Sequence, residues 1–338
     1  MPRVYLCLLL LFGMSALCQT ASTAPEEHWQ RLCKEFEHVK LPDADRPSAG
    51  AKQALAHCDS ADLYYGITRP ADPVKARQCA YLEMGTDHEP AFGGQTMLMM
   101  VYANGKGATR NFDIAIKMAC EIGGAPAEIS SRVEHLAQLK EEHWSGYNFD
   151  LCDDVTSGYM SGFCAGLQED FKEQKRSTRL KAMLARWGTE ERQAFHDLQQ
   201  AEDEYVRTVG KLEVDHSGSY RASIEIQAES TLKEEFVLAL EQFEQGKLPH
   251  FSQAEFAQVN DELNAVYKAI PRPLEYEDVP GMPTAEGVRK TEMVWIRYRD
   301  AWVEFGRKKY PQVSAESWKT WLTRDRTEML KAFLPDKP

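Results

Sequence analysis

Beyond residue 18 the chain carries six cysteines, Cys33, Cys58, Cys79, Cys120, Cys152 and Cys164, and none after residue 164. An even number held in the first half reads as a disulfide framework in an oxidising compartment, and it commits that half to a stapled fold. No CxxC pair occurs, which argues against a zinc knuckle or a dithiol redox site. Six cysteines permit many pairings, and spacing alone selects none. The preferred set couples Cys58 with Cys79, which flank a Tyr-Tyr-Gly turn signal and can face each other across one helix hairpin, and Cys152 with Cys164. Cys33 and Cys120 then remain for each other. Geometry allows the first of these bridges without requiring it.

The oxidising compartment is argued from the other end of the chain. Arg3 precedes an apolar run from Val4 to Phe12, and a small or polar stretch follows to Ala24. This is the build of a secretory signal over residues 1–21, too short to span a bilayer, with cleavage before Gln19 or near Ala21. Acylation at Cys18 is disfavoured, because Leu17 stands where lipoprotein signals place a small residue. The expectation is an exported protein, periplasmic or extracellular, with no transmembrane segment after cleavage. Loss of Arg3 takes the formal charge from −12 to about −13. Such a surface repels nucleic acid and anionic membrane and favours a cationic partner on encounter, although solubility is the commoner reason for it.

A weak internal repeat lies within residues 25–143. One copy reads Tyr64-Tyr65-Gly66, Asp72, Lys75-Ala76 and Cys79-Ala80; the other reads Tyr102-Ala103-Asn104-Gly105-Lys106-Gly107, Asp113, Ala115 and Ala119. Ala76 and Ala80 recur as Ala115 and Ala119, a period of 39 residues, which predicts helix hairpins. Tyr closes the first helix of each hairpin, Gly permits the tight turn, and alanines four apart let the second helix approach closely. The pattern resembles the Sel-like subclass of tetratricopeptide-type repeats. The first copy has Thr68-Arg69-Pro70 in place of the Gly-x-Gly turn, so its loop is expected to differ.

Residues 144–151 read as a linker. Helical patterning resumes from Cys152 to about Phe243, with Phe195, Leu198, Tyr205 and Leu212 on one face, an interruption at 216–219, then Ile224, Leu232, Phe236 and Leu240 on another. Further helices are predicted over 254–269, stopped by Pro271 and Pro273, over 284–309, and over 315–333 with Ser314 as N-cap. No stretch alternates as a strand does, and the chain reads as all-α: helix-hairpin repeats followed by a helical bundle.

Three motifs near the C-terminus occur in order. Asp261-Glu262-Leu263-Asn264-Ala265-Val266-Tyr267 precedes Trp295-Ile296-Arg297-Tyr298-Arg299-Asp300-Ala301-Trp302, and Thr323-Arg324-Asp325-Arg326-Thr327-Glu328-Met329-Leu330 follows. Together they resemble the lysozyme-inhibitor LprI-like domain of bacterial envelope proteins, over residues 252–335. Cys152 to Cys164 resembles the cysteine-flanked start of that module, so residues 150–248 are expected to be a long helical insert or a degenerate copy. The family's cysteine after the Arg-Asp pair is missing, since the chain reads Trp302-Val303-Glu304-Phe305 there. Tighter aromatic packing is expected to replace that bridge.

Structural roles come first for these residues. Trp295, Tyr298 and Trp302 share a helical face and are expected in the core. Arg299 beside Asp300 is expected to clamp a carboxylate such as Asp261, and a buried Asn264 to tie helix ends or loops. Tyr267 and Arg326 complete the motif set. Enzyme signatures are missing: there is no His-Glu-x-x-His, Gly-x-Ser-x-Gly or phosphate loop. Ser230-Thr231-Leu232-Lys233 matches Ser-x-x-Lys by chance, and His135 and His143 lack a third ligand. No cofactor, metal or catalytic role is expected. The resemblance implies a protein that binds a cationic protein partner, a lysozyme-type muramidase, with Arg297, Arg299 or the tip of the 271–283 loop entering the enzyme's cleft. The alternative is an adaptor that docks another envelope component through the repeats.

Overall fold

A computed structural model describes residues 27–86 and 91–335. The signal assigned to residues 1–21, its cleavage sites and Cys18 lie outside the described residues. Within them the regular structure is thirteen α-helices and two short 3-10 turns, with no strand. No described helix is long and apolar enough to cross a membrane.

The first half is built from α1 (His28–Phe36), α2 (Ala49–Ala54), α3 (Ser60–Tyr65), α4 (Pro73–Glu83), α5 (Gly94–Asn104), α6 (Phe112–Glu121) and α7 (Pro126–Glu141). Helices α3 and α4 form one hairpin and α5 and α6 the next. Asp59, Asp72 and Asn111 cap α3, α4 and α6 by accepting from the backbone N–H of the third residue of each helix. Tyr65 ends α3, and Gly66 follows at φ +75°; Asn104 ends α5, and Gly105 follows at φ +64°. Those left-handed positions reverse the chain, and glycine takes them without penalty. Ala76, Ala80, Ala115 and Ala119 are fully buried, so the paired helices meet where their side chains are smallest.

Cys33 of α1 is bonded to Cys120 of α6, with Cα atoms 5.6 Å apart. Cys58, in the loop before α3 rather than on a helix, is bonded to Cys79 of α4, and Cys152 in the 3-10 turn Leu151–Asp154 to Cys164. The stretch read as a linker is anchored instead. Asn104 donates to the Phe149 carbonyl at 2.8 Å and accepts from its N–H at 2.9 Å, and Phe149 and Leu151 are buried.

The second half comprises α8 (Gly158–Leu184), α9 (Thr189–Leu212), α10 (Arg221–Glu244), α11 (Gln253–Ala269), α12 (Ala285–Lys309) and α13 (Ala315–Lys331). Helix α8 packs along α10, α9 against α12, and α11 on α13. Ser252 and Glu255 form a reciprocal capping box on α11, and Ser314 caps α13. Two apolar cores result, one running from Phe36 to Leu167 and the other from Met183 to Leu330, and α8 contributes to both. Trp302, fully buried, stacks on Trp318 at 5.9 Å and meets Phe236, Phe243 and Trp321 edge-on. Truncating an aromatic side chain so placed costs about 3–5 kcal/mol. Leu198, Phe236 and Leu240 join this core. Ile224 does not: it is 37% exposed, because the first turns of α10 run past the bundle onto the start of α8.

Candidate functional site

The C-terminal motif residues divide into a buried set and a solvent-facing set. Trp295, Tyr298 and Trp302 lie in the core. Arg299 does not clamp Asp261. It pairs with its neighbour Asp300 at 2.8 Å and lies over the Trp295 ring at 5.3 Å, while Asp261 sits on the exposed side of α11. Asn264 is also exposed and donates only to the Asn260 carbonyl one turn back, so it ties no loop. Both sit on the outward side of α11, whose Val259 and Leu263 turn inward towards α13. Tyr267 is half-buried, with Arg272 over its ring at 5.0 Å.

The buried clamp belongs to Arg326. Its guanidinium donates to both carboxylate oxygens of Glu213, at 2.5 and 2.8 Å, and to Glu292 at 2.5 Å. This triad pins α13 to the end of α9 and to α12. Burial holds the Glu292 carboxyl above the usual carboxylate range, although Arg326 pulls it down. Sequence reasoning named Arg326 but missed both partners, because Glu213 lies 113 residues away.

The residues proposed to enter a partner's cleft are engaged within the protein. Arg297 pairs with Glu204 at 2.5 Å and Arg299 with Asp300. The 271–283 loop is held down where the His216 N–H donates to the Gly281 carbonyl at 2.7 Å, leaving Tyr276 59% exposed. Ser230 lies 3.5 Å from Lys172, while Lys233 faces Glu169 and Glu229. His135 bonds Asp154 at 2.9 Å, and His143 is exposed. Among the described residues the one metal-like cluster is Cys58, Cys79 and Glu83, whose two sulfurs are bonded to each other.

A large concavity lies elsewhere, where the repeats meet α8 and α10. It is a groove of about 580 Å³ walled by Ile67 and Phe92 of the repeat region and by Tyr159, Phe163 and Leu167 of α8. Tyr159 is 71% exposed and Phe163 40%, and their rings meet edge-on at 5.1 Å. Large aromatic side chains left open in a groove mark a binding surface more strongly than scattered apolar residues do. The floor is a row of glycines one turn apart on α8. A Cβ on Gly158 would meet the Ser219 backbone at 2.3 Å and one on Gly162 the Ala222 side chain at 2.9 Å, whereas Gly166 has open space before it. The two tight positions let the start of α10 close one end of the groove, and the third leaves the other end open.

Asp59 and Asp170 line the same groove, with Arg221. Burial, then the charges of Glu169 and Asp59, raise the Asp170 carboxyl above its usual range. Two acids that repel each other at the edge of an apolar groove favour an arriving cation. The sequence reading missed this site, although Tyr159 and Phe163, four apart beside Gly158, Gly162 and Gly166, were its legible signal.

Fold and site together define a class: an all-α, disulfide-bridged helical protein with an aromatic groove where its repeat region meets α8 and the start of α10. The chain matches no protein-family model, no curated protein and no solved structure.

Proposed function

We propose that this chain is an exported, non-catalytic binding protein of the lysozyme-inhibitor LprI-like type, with Sel-like repeats, that captures a cationic protein of the lysozyme class. The observation that carries the reading is the groove. Tyr159 and Phe163 offer apolar contact while Asp59 and Asp170 place two carboxyls beside it against the single cation Arg221. A partner presenting an aromatic or aliphatic side chain next to a lysine or arginine satisfies both. The net charge of −12 steers such a partner over longer range. The three bridges support the export part of the reading, since they persist in oxidising compartments.

The test is lysozyme-driven clearing of a bacterial suspension with and without the mature chain, beside Phe163→Ser. Slower lysis at molar excess is expected, with Phe163→Ser weaker by about tenfold or more. Unchanged lysis at molar excess refutes the muramidase as partner. A second reading, an adaptor for another envelope component, is favoured by Ile67 and Phe92, repeat-region residues that wall the same groove. It keeps the site and changes the partner.

A further inference from the structure

The bundle holds a second, smaller cleft of about 70 Å³, lined by Trp295, Tyr298 and Trp321 and by three acids, Glu202 of α9, Glu235 of α10 and Asp325 of α13. Glu202 is the anomaly. It is only 4% exposed, and its Oε1 has no hydrogen-bond partner. A buried carboxyl left unpaired costs on the order of 1–3 kcal/mol or more, and native proteins rarely carry one without a use.

The cations near Glu202 lie closer to other acids, although the Arg176 Nη1 is itself buried without a partner. Arg176 of α8 pairs with Glu169 and Glu173, Lys233 of α10 lies between Glu169 and Glu229, and Arg326 of α13 is held by Glu213 and Glu292. The remaining charges that bear on Glu202 are acidic, Asp203 on its own helix and Glu173 on α8. Burial, with Asp203 next, pushes the Glu202 carboxyl up to about 8. Burial and Glu235 push Asp325 up to about 6. The Tyr298 hydroxyl lies in the field of both Glu202 and Asp325.

Arg326, the cation in the cleft wall, is held by Glu213 and Glu292, so the cleft lacks a compact cation free to donate to Glu202. Its acids do not converge as metal ligands do, since Cys58, Cys79 and Glu83 are the one such group among the described residues. An ammonium needs one close acceptor, Glu202, while Glu235 and Asp325 add negative field from farther off, and an attached methylene chain lies well along indole and phenol faces. A cleft this narrow admits a side-chain end and not a folded metabolite.

We propose that this cleft binds a primary ammonium group on an alkyl chain, supplied by a free diamine or by a lysine side chain. Ionised Glu202 is the main acceptor, Glu235 and Asp325 guard the mouth, and the aromatic wall takes the methylenes. Binding releases a proton whenever Glu202 starts protonated.

The experiment is calorimetric titration of the full mature chain with 1,5-diaminopentane and, separately, with Nα-acetyl-lysine methylamide, at fixed ionic strength. Saturable binding is expected, and Glu202→Gln weakens it by about tenfold or more. Gln is nearly isosteric with the protonated acid, and circular dichroism checks the fold. Asp325→Asn, at the exposed mouth, provides an independent variant and weakens binding by about threefold. Affinity rises by about tenfold or more from pH 6 to pH 9 as Glu202 ionises, and Glu202→Gln flattens that rise. Glu190→Gln, on an 85% exposed side chain, leaves affinity unchanged. Binding of the diamine alone assigns the ligand as a free amine, and binding of the lysine analogue alone assigns it as a side chain. No saturable binding of either probe at about 10 mM, or an unchanged affinity and pH profile in Glu202→Gln, overturns the proposal. Phe163→Ser alters the groove and leaves these titrations as they are, so the two sites fail or succeed separately.

Discussion

Replacing Arg326 with methionine keeps most of the side-chain volume and removes the charge from the Glu213–Arg326–Glu292 triad. The three side chains are 0%, 3% and 12% exposed, so two carboxyls are left with little water to compensate them. Breaking a buried ion pair by deleting one partner costs about 3–5 kcal/mol. For a cooperative unit of roughly 150 residues that lowers the melting temperature by about 6–20 °C. Arg299→Met makes the control. Its partner Asp300 is 55% exposed, and the loss there stays below about 1 kcal/mol. Urea unfolding followed by far-UV circular dichroism measures both. The pH dependence has a definite sign. With Arg326 gone, only the weaker pull of Arg299 offsets burial at Glu292, so its folded pKa climbs further above the unfolded value. A carboxyl raised on folding destabilises the native state as pH rises from the unfolded pKa through the folded one. The deficit of Arg326→Met is therefore larger at pH 8 than at pH 5. A loss below about 1 kcal/mol, or a deficit that grows as pH falls, refutes the reasoning.

Two further outcomes follow from the first core and the helix contacts. The Cys33–Cys120 bridge closes a span of 87 residues and Cys152–Cys164 one of 12, so removal to serine pairs costs about 4–5 and about 3 kcal/mol by loop entropy; an inverted order in urea unfolding overturns that account. Gly306→Ala sets a Cβ 2.3 Å from the Trp318 indole nitrogen and costs about 1–3 kcal/mol, whereas Gly166→Ala faces open space within a helix and gains about 0.5–1 kcal/mol. Thermal melts that move both variants the same way contradict it.

The all-helical architecture was legible because the apolar residues repeat at helical spacing and because Pro, Gly, Ser and Asp punctuate the ends. Tyr65-Gly66 closes its helix as read, whereas α5 runs two residues past Tyr102 to Asn104 before Gly105 takes the left-handed position that reverses the chain. Non-local pairing was not legible. Nothing near Arg326 announces Glu213 or Glu292, and Arg299, the residue chosen for the clamp, finds its acid in the adjacent position. Asn264 was expected inside from its place in a motif, yet its own helix face turns it outward. The 144–151 segment has loop composition, but Asn104 fixes its backbone from across the repeat region. The groove depends on three segments that meet only in the folded chain, so its aromatic pair looked like ordinary helix surface.

Helix α8 gives these parts a fixed angular relation. Leu167 faces the first core and Met183 the second, 16 positions further on. At about 100° per residue that interval leaves the two side chains about 160° apart around the helix axis, with a rise of about 24 Å. The helix is thus a keyed shaft, bearing on nearly opposite sides at its two ends. Adding or deleting one residue between those bearings would turn one end by about 100° and misalign Cys164 or Arg179 with its partner, even with every other contact intact. The phase of α8 is therefore itself a heritable dimension of this fold, set by residue count as firmly as by residue type.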